Sequence, residues 1–125
     1  MESFQLAFWS KYNLLLAGNT KEAEDLLKEN NVKIIITDQK MAGETGLQFI
    51  DRIKHHYPDI LFIVLTAYAE LDIVLDAINT GVYQFIQKPW DQKEMHQVIS
   101  NALDKYDLQK QNKELLIELK KEMKN

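Results

Sequence analysis

The sequence predicts a doubly wound α/β fold, a parallel sheet with helices on both faces. Three observations lead there. Short apolar runs alternate along the chain with amphipathic runs of helical spacing, the pattern of a parallel sheet with crossover helices. The run Val32–Thr37 is mostly apolar on both faces, as a central strand of such a sheet should be, and Leu61–Leu65 is a second apolar run. Each of three successive runs is followed by a polar residue of distinct chemistry: Asp38, Thr66 and Lys88.

Element by element, residues 2–12 read as a short aromatic helix, with Phe4, Ala7 and Phe8 at helical spacing and Leu6 and Trp9 beside them. Asn13–Gly18 contains the apolar run Leu14–Ala17, a strand. Asn19 or Thr20 is suited to cap the next helix, which runs to about Asn30 and buries Ala23, Leu26 and Leu27. Val32–Thr37 is the next strand, ending at Asp38. A loop precedes a helix from about Gly46 to His56, buried through Leu47, Phe49, Ile50 and Ile53 and ended by Pro58. Leu61–Leu65 is a strand closed by Thr66 and Ala67. Leu71–Thr80 is a helix with Gly81 as its C-terminal cap. Tyr83–Gln87 is the last strand. Asp91 caps a final helix that can run unbroken to about Lys124.

With 125 residues, the chain has the length of one domain. It contains no cysteine, which excludes a disulfide framework and any cysteine-ligated metal. Its formal charge of −4 argues against a broad nucleic-acid surface. No apolar run approaches the length of a membrane span, and Met1–Gln5 carries no basic leader, so a cytoplasmic location is expected.

In a doubly wound sheet the working site lies beyond the carboxyl ends of the strands. Asp38, Thr66 and Lys88 meet at that edge. A carboxylate can attack a phosphoryl group, and a hydroxyl and an ammonium can then hold the new phosphoryl oxygens. Taken singly, each residue is an ordinary turn former, cap or solvated side chain; the three together favour a site.

These stretches resemble a known family. Ile34–Leu47 with Asp38 and Gly46, Ile63–Tyr68 with Thr66 and Ala67, and Gly81–Asp91 with Phe85, Lys88 and Pro89 are similar to the receiver domain of two-component response regulators, over about residues 1–103. The resemblance implies a flavodoxin-like receiver fold, with a receiver-like domain at residues 1–105 and a helical extension at residues 106–125. It implies Asp38 as phosphoacceptor, Thr66 and Lys88 as phosphoryl-contacting residues, and Phe85 as the switch aromatic. A magnesium ion would be held by Asp38 and the main-chain carbonyl of Lys40. A histidine kinase or phosphotransfer protein would supply the phosphoryl group.

Two departures stand out. The family loop usually reads Met-Pro-Gly; here it is Met41-Ala42-Gly43. Receivers also begin with a central strand that ends in an acidic, magnesium-holding pair. Here residues 2–12 align with the second half of the family's first helix, and Lys11–Ala17 with its second strand. The acidic pair is absent, since Glu24-Asp25 lies inside a helix. The expectation is an N-terminally truncated receiver of four strands that binds magnesium weakly or not at all and gains little phosphate from a small donor.

In the extension, Leu108, Asn112, Leu115 and Leu119 step by four, three and four, a short coiled-coil seam with Asn112 at an a position. Leu116, Ile117 and Met123 widen the apolar surface, and a homodimer is expected. The reading is a phosphoryl-accepting switch rather than an enzyme. The alternative is a pseudo-receiver that serves only as a dimerisation or interaction module. Neither reading includes a membrane or direct nucleic-acid contact.

Overall fold

The computed structural model describes residues 17, 19–40, 43–67 and 70–124. The chain divides into two units, Met1–Val32 and Lys33–Asn125. The helix expected over residues 2–12, with Phe4, Phe8 and Trp9, and the strand expected over Asn13–Gly18 lie outside the described residues, apart from Ala17.

In the first unit, α1 spans Thr20–Glu29. Asn19 is its cap: the side-chain Oδ1 accepts from Glu22 N at 2.8 Å, satisfying a donor that has no partner within the helix. Leu27 is its buried residue.

Among the described residues, the second unit holds a three-stranded parallel sheet, with β1 Ile34–Asp38, β2 Leu61–Thr66 and β3 Gln84–Gln87 in the spatial order β1-β2-β3. The register pairs Ile34 with Leu61 and Asp38 with Leu65, then Ile63 with Gln84 and Thr66 with Gln87. The connections are helical: α2 Gly46–Ile53 with a 3₁₀ turn at Lys54–His56, then α3 Leu71–Thr80. Helix α4, Gln92–Met123, follows β3.

Because successive side chains point to opposite faces of a sheet, burial of Phe62, Ile63, Val64 and Leu65 in sequence means that both faces of β2 are covered. Helix α2 packs on β2 and against α3, burying Leu47, Phe49, Ile50 and Ile53. Helix α4 buries Met95, Ile99, Ala102 and Tyr106. Ile63 is fully buried in the central strand. Ile63→Val, which removes one methyl group, is expected to cost about 1 kcal/mol, seen as a lower urea midpoint at unchanged m-value.

The expected helix to His56 is shorter in α-form. It ends at Ile53, and the last residues tighten into the 3₁₀ turn before Pro58, whose ring disfavours α geometry in the residue ahead of it. Gly81 caps α3 as expected, at φ +88°, a left-handed conformation that glycine adopts without a Cβ clash. Asp91 caps α4, accepting from Lys93 N at 3.0 Å. Helix α4 is unbroken through its extension.

Candidate functional site

The carboxyl ends of the three strands converge as the sequence predicts. Asp38 is the last residue of β1, lying opposite Leu65, and Thr66 closes β2 opposite Gln87. Lys88 leaves β3 with its main-chain N–H donating to Thr66 O at 2.6 Å. The Lys88–Pro89 peptide is cis.

Strand β2 lies between β1 and β3, so Asp38 and Lys88 stand on strands two spacings apart, roughly 9.6 Å. The four-carbon stem of lysine spans that gap. Lys88 Nζ reaches Asp38 Oδ1 at 2.5 Å, forming an ion pair across the end of β2. Oδ1 is buried and makes no further hydrogen bond. The Asp38 side chain is nevertheless 31% exposed, so its open surface lies away from Oδ1, toward the other carboxylate oxygen. Thr66 is buried between the two charged residues in the strand order.

The loop after Asp38 is tied down at several points. Gln39 N donates to Leu65 O and Gly46 N donates to Gln39 O, both at 2.9 Å. Thr45 and Gln48 form a reciprocal capping box at the start of α2: Gln48 N donates to Thr45 Oγ1 at 3.1 Å, and Thr45 N to Gln48 Oε1 at 2.9 Å. Arg52 grips Glu44 with two N–H groups, Nη2 at 2.6 Å and Nε at 3.3 Å. Gly46 lies so close to β1 that a Cβ there would sit 2.4 Å from Asp38 O.

Neither Gln39 nor the close approach of Gly46 was evident from the sequence. The Thr-x-x-Gln spacing of the capping box was a readable signal, whereas nothing local marked Gln39. Lys40 is exposed in this loop. Phe85 sits in β3 opposite Val64 and lines a hollow of about 180 Å³ with Val74, Ala77, Ile78, Val82 and Tyr83. Leu108, Leu115 and Leu119 are exposed on α4, as is Asn112.

Comparison with known proteins agrees with this architecture. The family model described as response regulator receiver domain matches residues 4–100. The hydrogenase transcriptional regulatory protein HoxA of Bradyrhizobium diazoefficiens is 29% identical over 120 residues, which cover 95% of this chain and 25% of that protein. HoxA of Cupriavidus necator is 30% identical over 111 residues, covering 88% and 23%. The chain thus spans about a quarter of the length of these relatives. Among solved structures, the signal receiver domain of an HD domain-containing protein from Pseudomonas fluorescens Pf-5 superposes with a TM-score of 0.82 at 27% identity, covering 88% of this chain and 82% of that one. The beryllofluoride-activated NtrC4 receiver domain dimer gives a TM-score of 0.78 at 31% identity, with coverages of 84% and 88%.

Proposed function

This chain belongs to the response regulator receiver family, and from that premise we propose that it is a phosphoryl-accepting switch whose acceptor is Asp38. The observation that carries the reading is the Lys88–Asp38 ion pair at the carboxyl edge of the sheet, beside Thr66. The Asp38 oxygen not held by Lys88 is the nucleophile. It forms a bond to phosphorus as the bond from phosphorus to the donor breaks, and the donor's leaving group carries away the electron pair. The acyl phosphate carries nearly two negative charges where the carboxylate carried one. Lys88 neutralises part of that charge, and the Thr66 hydroxyl donates to a phosphoryl oxygen. A histidine kinase or phosphotransfer protein is the donor, in keeping with the family.

Family members use a magnesium ion at this edge. Magnesium takes six oxygen ligands in an octahedron. Among the described residues no cluster of three or more His, Cys, Asp or Glu side chains is positioned to hold a metal. Asp38 Oδ1 is already held by Lys88. Asp38 and the Lys40 carbonyl alone do not complete the site, so the residues described here do not fit the ion. That observation favours the second reading, a receiver that acts only as an interaction module. Phosphate incorporation separates the two. An acyl phosphate mapped to Asp38 by borohydride reduction and mass spectrometry supports the switch; labelling at any other residue rejects it.

Self-association is the proposed output. Helix α4 carries two apolar stripes. At 100° per residue, the exposed stripe of Leu108, Leu115 and Leu119 is rotated roughly 150° from the buried stripe of Met95, Ile99, Ala102 and Tyr106. One helix can therefore cover its own domain and still offer a seam to a second copy, with Asn112 in register. The dimeric state of the similar NtrC4 receiver is consistent with this reading. Leu115→Asp combined with Leu119→Asp is expected to convert a dimer to a monomer by light scattering, at concentrations on the order of tens of micromolar suited to a short, marginal coil. A dimer that survives both charges would place the contact elsewhere.

A further inference from the structure

An α-helix leaves its first four N–H groups without partners inside the helix. In α2 all four are accounted for. Thr45 N and Gln48 N are taken by the capping box. The other two go to one residue, Gln39. Its main-chain carbonyl accepts from Gly46 N at 2.9 Å, and its side-chain Oε1 accepts from Leu47 N at 2.9 Å. Gln39 N also donates to Leu65 O at 2.9 Å. A single residue thus joins the end of β1, the end of β2 and the start of α2, and it is the residue that follows Asp38.

The start of α2 is pressed against the Asp38 peptide. The space at Gly46 is closed by Asp38 O, at 2.4 Å from an added Cβ, and by Thr37 Cγ2, at 3.1 Å. Asp38 O also accepts from Thr37 Oγ1 at 3.0 Å. A shift of the first turn of α2 toward β1 presses on the Asp38 peptide, and a shift away pulls on Gln39 through its bonds to Gly46 N and Leu47 N; either moves the peptide that carries the Asp38 carboxylate relative to Lys88 Nζ. The main-chain bonds of Gln39 are open to most residues. The Oε1 bond needs a side-chain acceptor at the length of Gln or Glu.

We infer that Gln39 is a positioning residue for the Asp38 site: its side-chain carbonyl caps α2 from outside the helix and holds the Asp38 peptide in the orientation that sets the carboxylate against Lys88. The inference deepens the reading of Asp38 as phosphoacceptor and rests on that reading for its functional meaning. Its geometry is testable without any phosphate.

Gln39→Met keeps side-chain length and removes the acceptor; Gln39→Glu keeps the acceptor. The readout is the Lys88 side-chain NMR signal, with Asp38→Asn marking the position of a lysine that has lost its charged partner. Gln39→Met is expected to move the Lys88 signal most of the way to that position and to speed Leu47 amide exchange by about tenfold, as loss of one hydrogen bond implies. Gln39→Glu is expected to keep both at wild-type values. If Gln39→Met deprotects Leu47 while Lys88 stays in place, Gln39 is a helix cap with no hold on Asp38, and the inference fails. It fails equally if Leu47 remains protected. Should the Met variant not fold, Gln39→Asn, whose acceptor falls one carbon short, gives the same comparison. Because no phosphate enters the readout, rejection of Asp38 as acceptor would come only from labelling of the wild type and Asp38→Asn.

Discussion

Gly46→Val is expected to destabilise the domain by about 3 kcal/mol, at the upper end of overpacking costs, and to lower its melting temperature by roughly 10–20 °C. Intrinsic helix propensity opposes that result, since valine exceeds glycine by a few tenths of a kcal/mol. The contact decides the sign. A Cβ at this position would lie 2.4 Å from Asp38 O, a backbone atom, and 3.1 Å from Thr37 Cγ2. Neither can move cheaply. Asp38 is the last residue of β1, paired with Leu65, and the next N–H is bonded to Leu65 O. Relief must come from α2 shifting away, which stretches the bonds of Gln39 to Gly46 and Leu47. Gly46→Ala keeps the first clash and adds no further carbons, so it should fall between wild type and valine. Thermal and urea unfolding measure both. A valine variant as stable as wild type would show that α2 does not need its close approach to β1.

The strands were legible because burial on both faces requires nearly continuous apolar runs, and Ile34–Ile36 and Leu61–Leu65 have no other use. Their ends were less so. Asp38 reads as the residue after a strand, yet it completes β1, because the ladder to β2 continues through the N–H of Gln39. Helix caps at Asn19, Gly81 and Asp91 were readable, since cap chemistry is local. The site was legible as a set of types: a carboxylate, a hydroxyl and an ammonium at three strand ends. It was not legible as a geometry. That Lys88 crosses the end of β2 to pair with Asp38 depends on strand order, which no single segment encodes. Gln39 was missed for the same reason. Its side chain bonds a helix that starts seven residues later, and a glutamine after an aspartate carries no local signature. The exposed stripe on α4 was visible as a heptad fragment. Its rotation from the buried stripe became meaningful only once Met95, Ile99, Ala102 and Tyr106 were known to face inward.

Asp38→Asn is expected to abolish phosphate incorporation completely, whereas Thr66→Ala should retain labelling and lose the change in self-association that labelling brings. To supply the metal ligands that the described residues do not assemble, the measurement uses the chain extended at its amino end by a strand ending in two acidic residues. The reasoning starts at Asp38. A phosphoryl group there puts nearly two negative charges in place of the carboxylate's one, with three acceptor oxygens, at an edge whose described cation is Lys88, already in contact with the carboxylate. Thr66 closes the adjacent strand and is buried; in the proposed switch its hydroxyl shifts toward the new oxygens. That shift opens room on the neighbouring strand. Phe85 lies opposite Val64, two residues before Thr66, and lines the hollow of about 180 Å³ between α3 and β3, so it has space to change rotamer. The element after β3 is α4, which is continuous from Gln92 through the Leu108–Leu119 seam. A reoriented β3 end therefore re-aims the seam without unfolding any helix. Such coupling requires a two-state element whose equilibrium the phosphoryl group biases. Asparagine at position 38 removes the nucleophile and stops the sequence at its first step. Alanine at position 66 leaves the proposed nucleophile and Lys88 in place but removes the hydroxyl proposed to convert charge into movement. If phosphorylated Thr66→Ala changes its association as wild type does, the path from Asp38 to α4 does not run through Thr66.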